Sequence, residues 1–110
     1  MQNLKEEVIK FAQKLNTSNL SPLRSGNVSV RTNINNIEGF LITPSGIKYE
    51  LLKDTDVVFL ELNKEYDFLK IFNSGLNPSS EWRFHQDIYL KKKEAKAIVH
   101  AHSPLSLIHI

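Results

Sequence analysis

The strongest constraint on the fold is a change of hydrophobic period near residue 26. Asn27-Val28-Ser29-Val30-Arg31 alternates polar and apolar residues, and Gly39-Phe40-Leu41-Ile42-Thr43 brings a second strand-like run soon afterwards. Alternation of period two marks a strand, because successive side chains leave opposite faces. The asparagine-rich stretch from Asn33 to Asn36 reads as the turn between them. So short a link joins antiparallel neighbours, since a parallel crossover needs about a dozen residues or more. Val57 to Leu62 predicts a third strand and Ala95 to His102 another, with Phe68 to Phe72 a weaker candidate. Pro44-Ser45-Gly46 stops the second strand. A largely antiparallel sheet is expected.

Helices flank these strands. Leu4, Val8, Phe11, Ala12 and Leu15 recur at spacings of three and four, predicting an amphipathic helix. Asn3 and Glu6 suit a capping box at its start, and Asn16-Thr17-Ser18-Asn19 should end it. Pro78-Ser79-Ser80-Glu81 opens a second helix: a serine caps free N–H groups, and Glu81 suits the positive first turn. Lys91, Lys92 and Lys93 suit its negative end, and beside Glu94 they read as a solvated terminus, not an interaction patch. Ser103-Pro104 announces a further helix whose apolar face begins with Leu105, Leu107, Ile108 and Ile110. Six or seven residues make a poor helix alone, so the chain reads as a piece of a longer protein. No internal repeat or low-complexity segment is visible.

The 110 residues make one small domain or part of a larger one. Lys and Arg number 14 against 12 Asp and Glu, a net charge of +2. That surplus is too mild for a nucleic-acid partner. Cysteine is absent, which excludes disulfides, thiolate catalysis and cysteine-bound metal, and fits a reducing compartment. No apolar run approaches the roughly 18 residues that span a bilayer, and the charged N-terminus is unlike a signal peptide. A cytoplasmic location with no membrane partner is the expectation.

Three groups of residues could carry chemistry. His100 and His102, at positions i and i+2 of a strand, stand on one face, as two ligands of one metal would. Two ordinary histidines on a strand face give the same pattern. His85 lies one turn after Glu81 and is a fourth-ligand candidate, although a partly buried histidine bonded to a neighbour is the stronger reading. His109 reads as incidental. Glu81 needs no role beyond starting a helix, yet beside a cation it could be a ligand or a proton-transfer group. Finally, Gly26-Asn27, Ser45-Gly46 and Ser79-Ser80 each fall where backbone N–H groups are free. Converged, they would form a phosphate site of small donors and a helix dipole, though singly they are ordinary turn residues.

Taken in order, Gly26-Asn27-Val28-Ser29-Val30-Arg31, then Leu41 to Glu50 (LITPSGIKYE), then Pro78-Ser79-Ser80-Glu81-Trp82-Arg83-Phe84-His85, then Ala97-Ile98-Val99-His100-Ala101-His102 resemble the class II aldolase/adducin family. The likeness is greatest to its zinc-dependent members that cleave L-fuculose 1-phosphate. It covers almost the whole chain but about the first half of such a protein, so residues 1–110 are expected to be the N-terminal part of a single domain. The resemblance implies a layered α/β/α (α+β) fold around an antiparallel sheet. It implies Zn²⁺, one per subunit, held by His100 and His102, by Glu81 in the resting state, and by a third histidine beyond Ile110. Glu81 matches the catalytic glutamate that moves protons once substrate displaces it from the metal. Asn27, Ser45, Gly46, Ser79 and Ser80 match positions holding the substrate phosphate. It also implies homotetramers with sites between subunits.

The implied activity is reversible aldol cleavage of a sugar 1-phosphate to dihydroxyacetone phosphate and an aldehyde, in which zinc acts as a Lewis acid and no Schiff-base lysine is needed. Without the third histidine the 110 residues alone are expected to be inactive. Two other chemistries share this scaffold. Ribulose-5-phosphate 4-epimerases usually carry aspartate where Glu81 stands. Methylthioribulose-1-phosphate dehydratases keep glutamate and are the nearer rival, but Trp82-Arg83-Phe84-His85 leans toward the aldolases. A non-catalytic adducin-like interaction module is the third alternative, against which His100, His102, Glu81 and the serine pair speak together.

Overall fold

The computed structural model describes residues 2–17, 26–47, 49–100 and 107–109. Helix α1 (Gln2–Thr17) precedes strands β1 (Asn27–Ile34) and β2 (Ile37–Ile42). Two single 3₁₀ turns, Tyr49–Leu51 and Asp54–Asp56, lead to β3 (Val58–Glu61). Helices α2 (Phe68–Asn73) and α3 (Trp82–Lys91) follow, then β4 (Ala97–His100) and β5 (Leu107–His109). The sheet order is β3-β2-β1-β4-β5, antiparallel at every step.

The asparagine-rich turn joins β1 to β2. Asn35 and Asn36 both take positive φ, 52° and 66°, and Ile34 pairs with Ile37. Two left-handed residues in a two-residue loop match the right-handed twist of the flanking strands, and asparagine tolerates that conformation. On β2, Gly39 is dictated by crowding. A Cβ there would collide with the Leu60 carbonyl oxygen and the Phe59 ring on β3.

The sheet separates two apolar clusters. On one face Val28, Leu41 and Val99 pack with Val8 and Ala12 of α1. On the other, Phe40, Ile42, Leu60 and Ile98 pack with Ile71 of α2 and with Trp82 and Tyr89 of α3. This is the mixed, layered architecture expected, with strand alternation sending neighbouring residues to opposite layers.

Several local expectations are corrected. The apolar stripe of α1 is narrower than its spacing suggested: Val8 and Ala12 are buried, whereas Phe11 is 43% exposed. Asn3 lies within the bounds of α1, Gln2–Thr17, rather than just before them. Phe68 to Phe72 is helical rather than extended. The Ile71 N–H bonds the Asp67 carbonyl at 3.1 Å, and Gly75, at φ +81°, follows the last turn. One face is enough for so short a run, with Ile71 in the core and Leu69 69% exposed. The helix expected after Ser103-Pro104 is also overturned where it can be seen. Leu107–His109 is a strand whose backbone pairs with β4. A ready-made strand edge offers hydrogen bonds at once, while a lone helical turn must first meet its nucleation cost. Residues 101–106, including His102 and Ser103-Pro104, lie outside the described residues, as do Ser18 and Asn19.

Candidate active site

The site grows from the polar side of β1. Val28 packs in the α1 layer, so Asn27, Ser29 and Arg31 face the α3 layer. Asn27 and Ser29 are buried beneath α3 together with His85 and Tyr89, which lie four residues apart and hence on one helix face.

These four side chains bond in series. Ser29 Oγ lies 2.7 Å from the Tyr89 hydroxyl and 2.6 Å from His85 Nδ1. His85 Nε2 closely approaches Asn27 Oδ1. Proton counting sets the direction. An amide oxygen only accepts, so Nε2–H donates to Asn27. A neutral imidazole then has a lone pair at Nδ1, which Ser29 fills with its hydroxyl proton, and Tyr89 O–H donates to Ser29 Oγ. Burial keeps the imidazole neutral: with a smaller contribution from the nearby His100, it lowers the His85 pKa to about 3. Burial likewise raises Tyr89 to about 12, against the opposing pull of Ser29 and Arg31.

Arg31 closes the lower end of this row. Its guanidinium donates to the carbonyls of Tyr89 at 2.5 Å, Ala95 at 3.0 Å and Lys92 at 3.2 Å, and sits 5.0 Å from the Tyr89 ring centroid. A fixed cation thus satisfies carbonyls at the negative end of α3. Lys91 stands in the last turn of α3, and Lys91, Lys92 and Lys93 are exposed, as the expected solvated terminus requires.

Thr43, buried just past β2, ties the three small-residue segments together. Its N–H bonds the Val28 carbonyl at 3.0 Å and its Oγ1 accepts from the Val28 N–H at 3.2 Å. Its carbonyl accepts from the Ser79 N–H at 2.8 Å. Ser45 N–H bonds the Asn77 carbonyl at 3.0 Å, and the Asn77 amide returns a bond to the Ser45 carbonyl at 2.8 Å. Asn27, Ser45-Gly46 and Ser79-Ser80 therefore sit on adjoining chain segments. Gly46, at φ +76°, and Ser80 are exposed. Ser79 Oγ accepts from the Glu81 N–H at 3.3 Å, a tight turn just ahead of α3. Glu81 itself is the N-cap before Trp82 and makes no side-chain cap bond, so the predicted serine cap does not form and Glu81 stands ahead of the first turn rather than in it.

The histidine strand borders this cluster. Asn27 and His100 are direct cross-strand partners in the β1–β4 register. Phe84 stacks against His100 with ring centroids 5.1 Å apart. Glu81 lies one turn before His85, whose N–H bonds the Glu81 carbonyl at 3.3 Å. Among the described residues no three His, Asp or Glu side chains form a metal-binding group. Imidazole and carboxylate are donors that zinc accepts, so His100 and Glu81 fit part of such a set.

Sequence reasoning missed Ser29, Arg31 and Tyr89. The available signal was three polar residues on one side of β1 and a His-Tyr pair at helical spacing.

Residues 6–109 match the family described as Class II Aldolase and Adducin N-terminal domain. The 5-methylthioribulose-1-phosphate/5-deoxyribulose-1-phosphate aldolase of Rhodospirillum rubrum is 36% identical over 105 residues, covering 96% of this chain and 43% of that protein. The L-fuculose phosphate aldolase of Escherichia coli is 37% identical over 100 residues, covering 91% and 42%. A solved L-fuculose 1-phosphate aldolase superposes with a TM-score of 0.74 at 32% identity, covering 94% of this chain and 46% of its own. The chain spans under half the length of the curated relatives it matches. With nearly every described residue inside the family match, this chain belongs to the class II aldolase/adducin family.

Proposed function

We propose that the chain is the N-terminal part of a single aldolase domain, and that the whole protein reversibly cleaves a ketose 1-phosphate to dihydroxyacetone phosphate and an aldehyde. The observation that carries this reading is the cross-strand pair Asn27↔His100, which sets the small-donor cluster beside the histidine strand. An anion bound by one and a cation held by the other would share a single substrate.

In this reading Asn27, Ser45, Gly46, Ser79 and Ser80 hold the phosphate. Ser79 supports the role because its oxygen already accepts from Glu81 N–H, which directs its own proton elsewhere. His100, His102 and Glu81 would hold a divalent metal, Zn²⁺ by donor type, with a further ligand expected outside this chain. When bound, the metal supplies Lewis-acid stabilisation of the charge that develops as the carbon–carbon bond breaks. Glu81, half-buried at the head of α3, would move a proton at the substrate carbon. The relatives are aldolases of fuculose, 5-methylthioribulose and 5-deoxyribulose phosphates, so a ketose 1-phosphate is the substrate class. A homotetramer with a cytoplasmic location completes the proposal. Among the described residues no helix is long and apolar enough to cross a membrane.

The test is dihydroxyacetone phosphate release by the full-length protein from L-fuculose 1-phosphate and 5-deoxyribulose 1-phosphate, with metal content measured alongside. Cleavage of at least one, lost on chelation and restored by zinc, is the expected result. Full activity after exhaustive chelation overturns the metal, and no cleavage of either overturns the aldolase.

A further inference from the structure

An asparagine presents an acceptor at one end of its amide and two donors at the other. Only the donor end is of use to a phosphate oxygen. Residue type alone does not say which end Asn27 offers. The buried row beneath α3 does.

Among the described residues, the hydrogen-bond partner of the Tyr89 hydroxyl is Ser29 Oγ. Tyr89 is fully buried, so its proton must be spent there, since a buried donor left without a partner loses its hydration uncompensated. Ser29 must then donate to His85 Nδ1, and His85 must carry its single proton on Nε2. That proton goes to Asn27 Oδ1. Reversing any one bond strands a buried donor or sets two donors head to head, so the four groups share one polarity. The carbonyl end of the Asn27 amide is pinned inward, and the Nδ2 donors are its uncommitted end.

We propose that His85 is a positioning residue: through the Tyr89–Ser29–His85 row it holds the Asn27 amide with its donors turned to an anionic oxygen of the substrate. The inference rests on the phosphate site proposed above. It goes beyond that site by assigning a function to a histidine that touches neither substrate nor metal.

The probe is inorganic phosphate, its affinity for the full-length protein measured by calorimetry. Asn27→Ala and His85→Phe should each weaken binding about tenfold, and the double variant should be no weaker than either alone, because both remove one oriented amide. His85→Gln restores an N–H near the Nε2 position and should stay within about threefold of the parent, whereas His85→Asn is too short and should behave like His85→Phe. In nitrogen NMR the parent His85 should show a protonated Nε2 and a bare Nδ1. If His85→Phe fails to fold, Ser29→Ala breaks the row with a smaller deletion and takes its place, with the same tenfold loss expected. Phosphate binding that needs Asn27 but tolerates His85→Phe overturns the positioning role alone, as does an additive loss of about a hundredfold in the double variant or an Nδ1–H tautomer. Phosphate binding indifferent to Asn27→Ala, or absent from the parent, overturns the phosphate site itself and the positioning role with it.

Discussion

At His85 the fold holds an ionisable side chain neutral, its pKa lowered from 6.5 to about 3 by burial, with His100 adding to the effect. Below about pH 6.5 the unfolded chain binds a proton that the folded chain refuses. Stability from this residue is therefore complete above that pH and is lost as pH falls toward 3, at up to about 1.4 kcal/mol per pH unit. Urea unfolding across this window should show a steeper loss for the parent than for His85→Gln; equal slopes would mean that His85 is charged in the folded state. Gly39 gives a second residue-scale expectation. A methyl group there meets the Leu60 carbonyl and the Phe59 ring, and a β2–β3 backbone has little room to yield. Gly39→Ala should cost about 1–3 kcal/mol, read from the urea midpoint. The glycine was visible in the sequence, but its necessity was not, because the colliding atoms belong to another strand.

Between elements, the junction of β1 with α3 depends on Arg31 more than on apolar contact. Three carbonyls from Tyr89, Lys92 and Ala95 point at one guanidinium. Arg31→Met should leave them without that donor, costing about 1–3 kcal/mol and speeding hydrogen exchange in the last turn of α3. Arg31 also pairs with Glu38 at 2.8 Å, but that carboxylate side chain is 48% exposed. Glu38→Gln should change stability by no more than about 1 kcal/mol, and a larger loss in the same denaturation assay would show that the ion pair, not the carbonyl bonds, holds the junction. Element type was legible wherever a period ran long enough. The five positions from Phe68 to Phe72 were too few to separate helix from strand, and their register against the core decided for helix. Leu107–His109 carried helix-start signals ahead of it, yet hydrogen bonding to the edge of β4 prevailed.

For the whole molecule, the proposed chemistry requires the histidine strand and the head of α3 to act together. His100→Ala in the full-length protein should abolish both metal retention and aldol cleavage, measured by metal analysis and dihydroxyacetone phosphate release. Glu81→Gln should retain most of the metal, because the histidines remain, while turnover collapses with the lost proton transfer. Equal metal loss in both variants would make Glu81 a structural ligand only. The amino-acid sequence by itself determined much of this protein. Alternation laid down the strands, Asn35-Asn36 the tight hairpin, and four ordered motifs the family. Tertiary structure alone decided that the polar side of β1 lies inside. Ser29 meets His85 and Tyr89 across 56 and 60 residues, and His85 meets Asn27 across 58. Period two states that two faces differ, and by default assigns the polar one to water. Which face is covered depends on where a distant helix lands, and α3 lands on the polar one carrying the histidine and tyrosine that satisfy it.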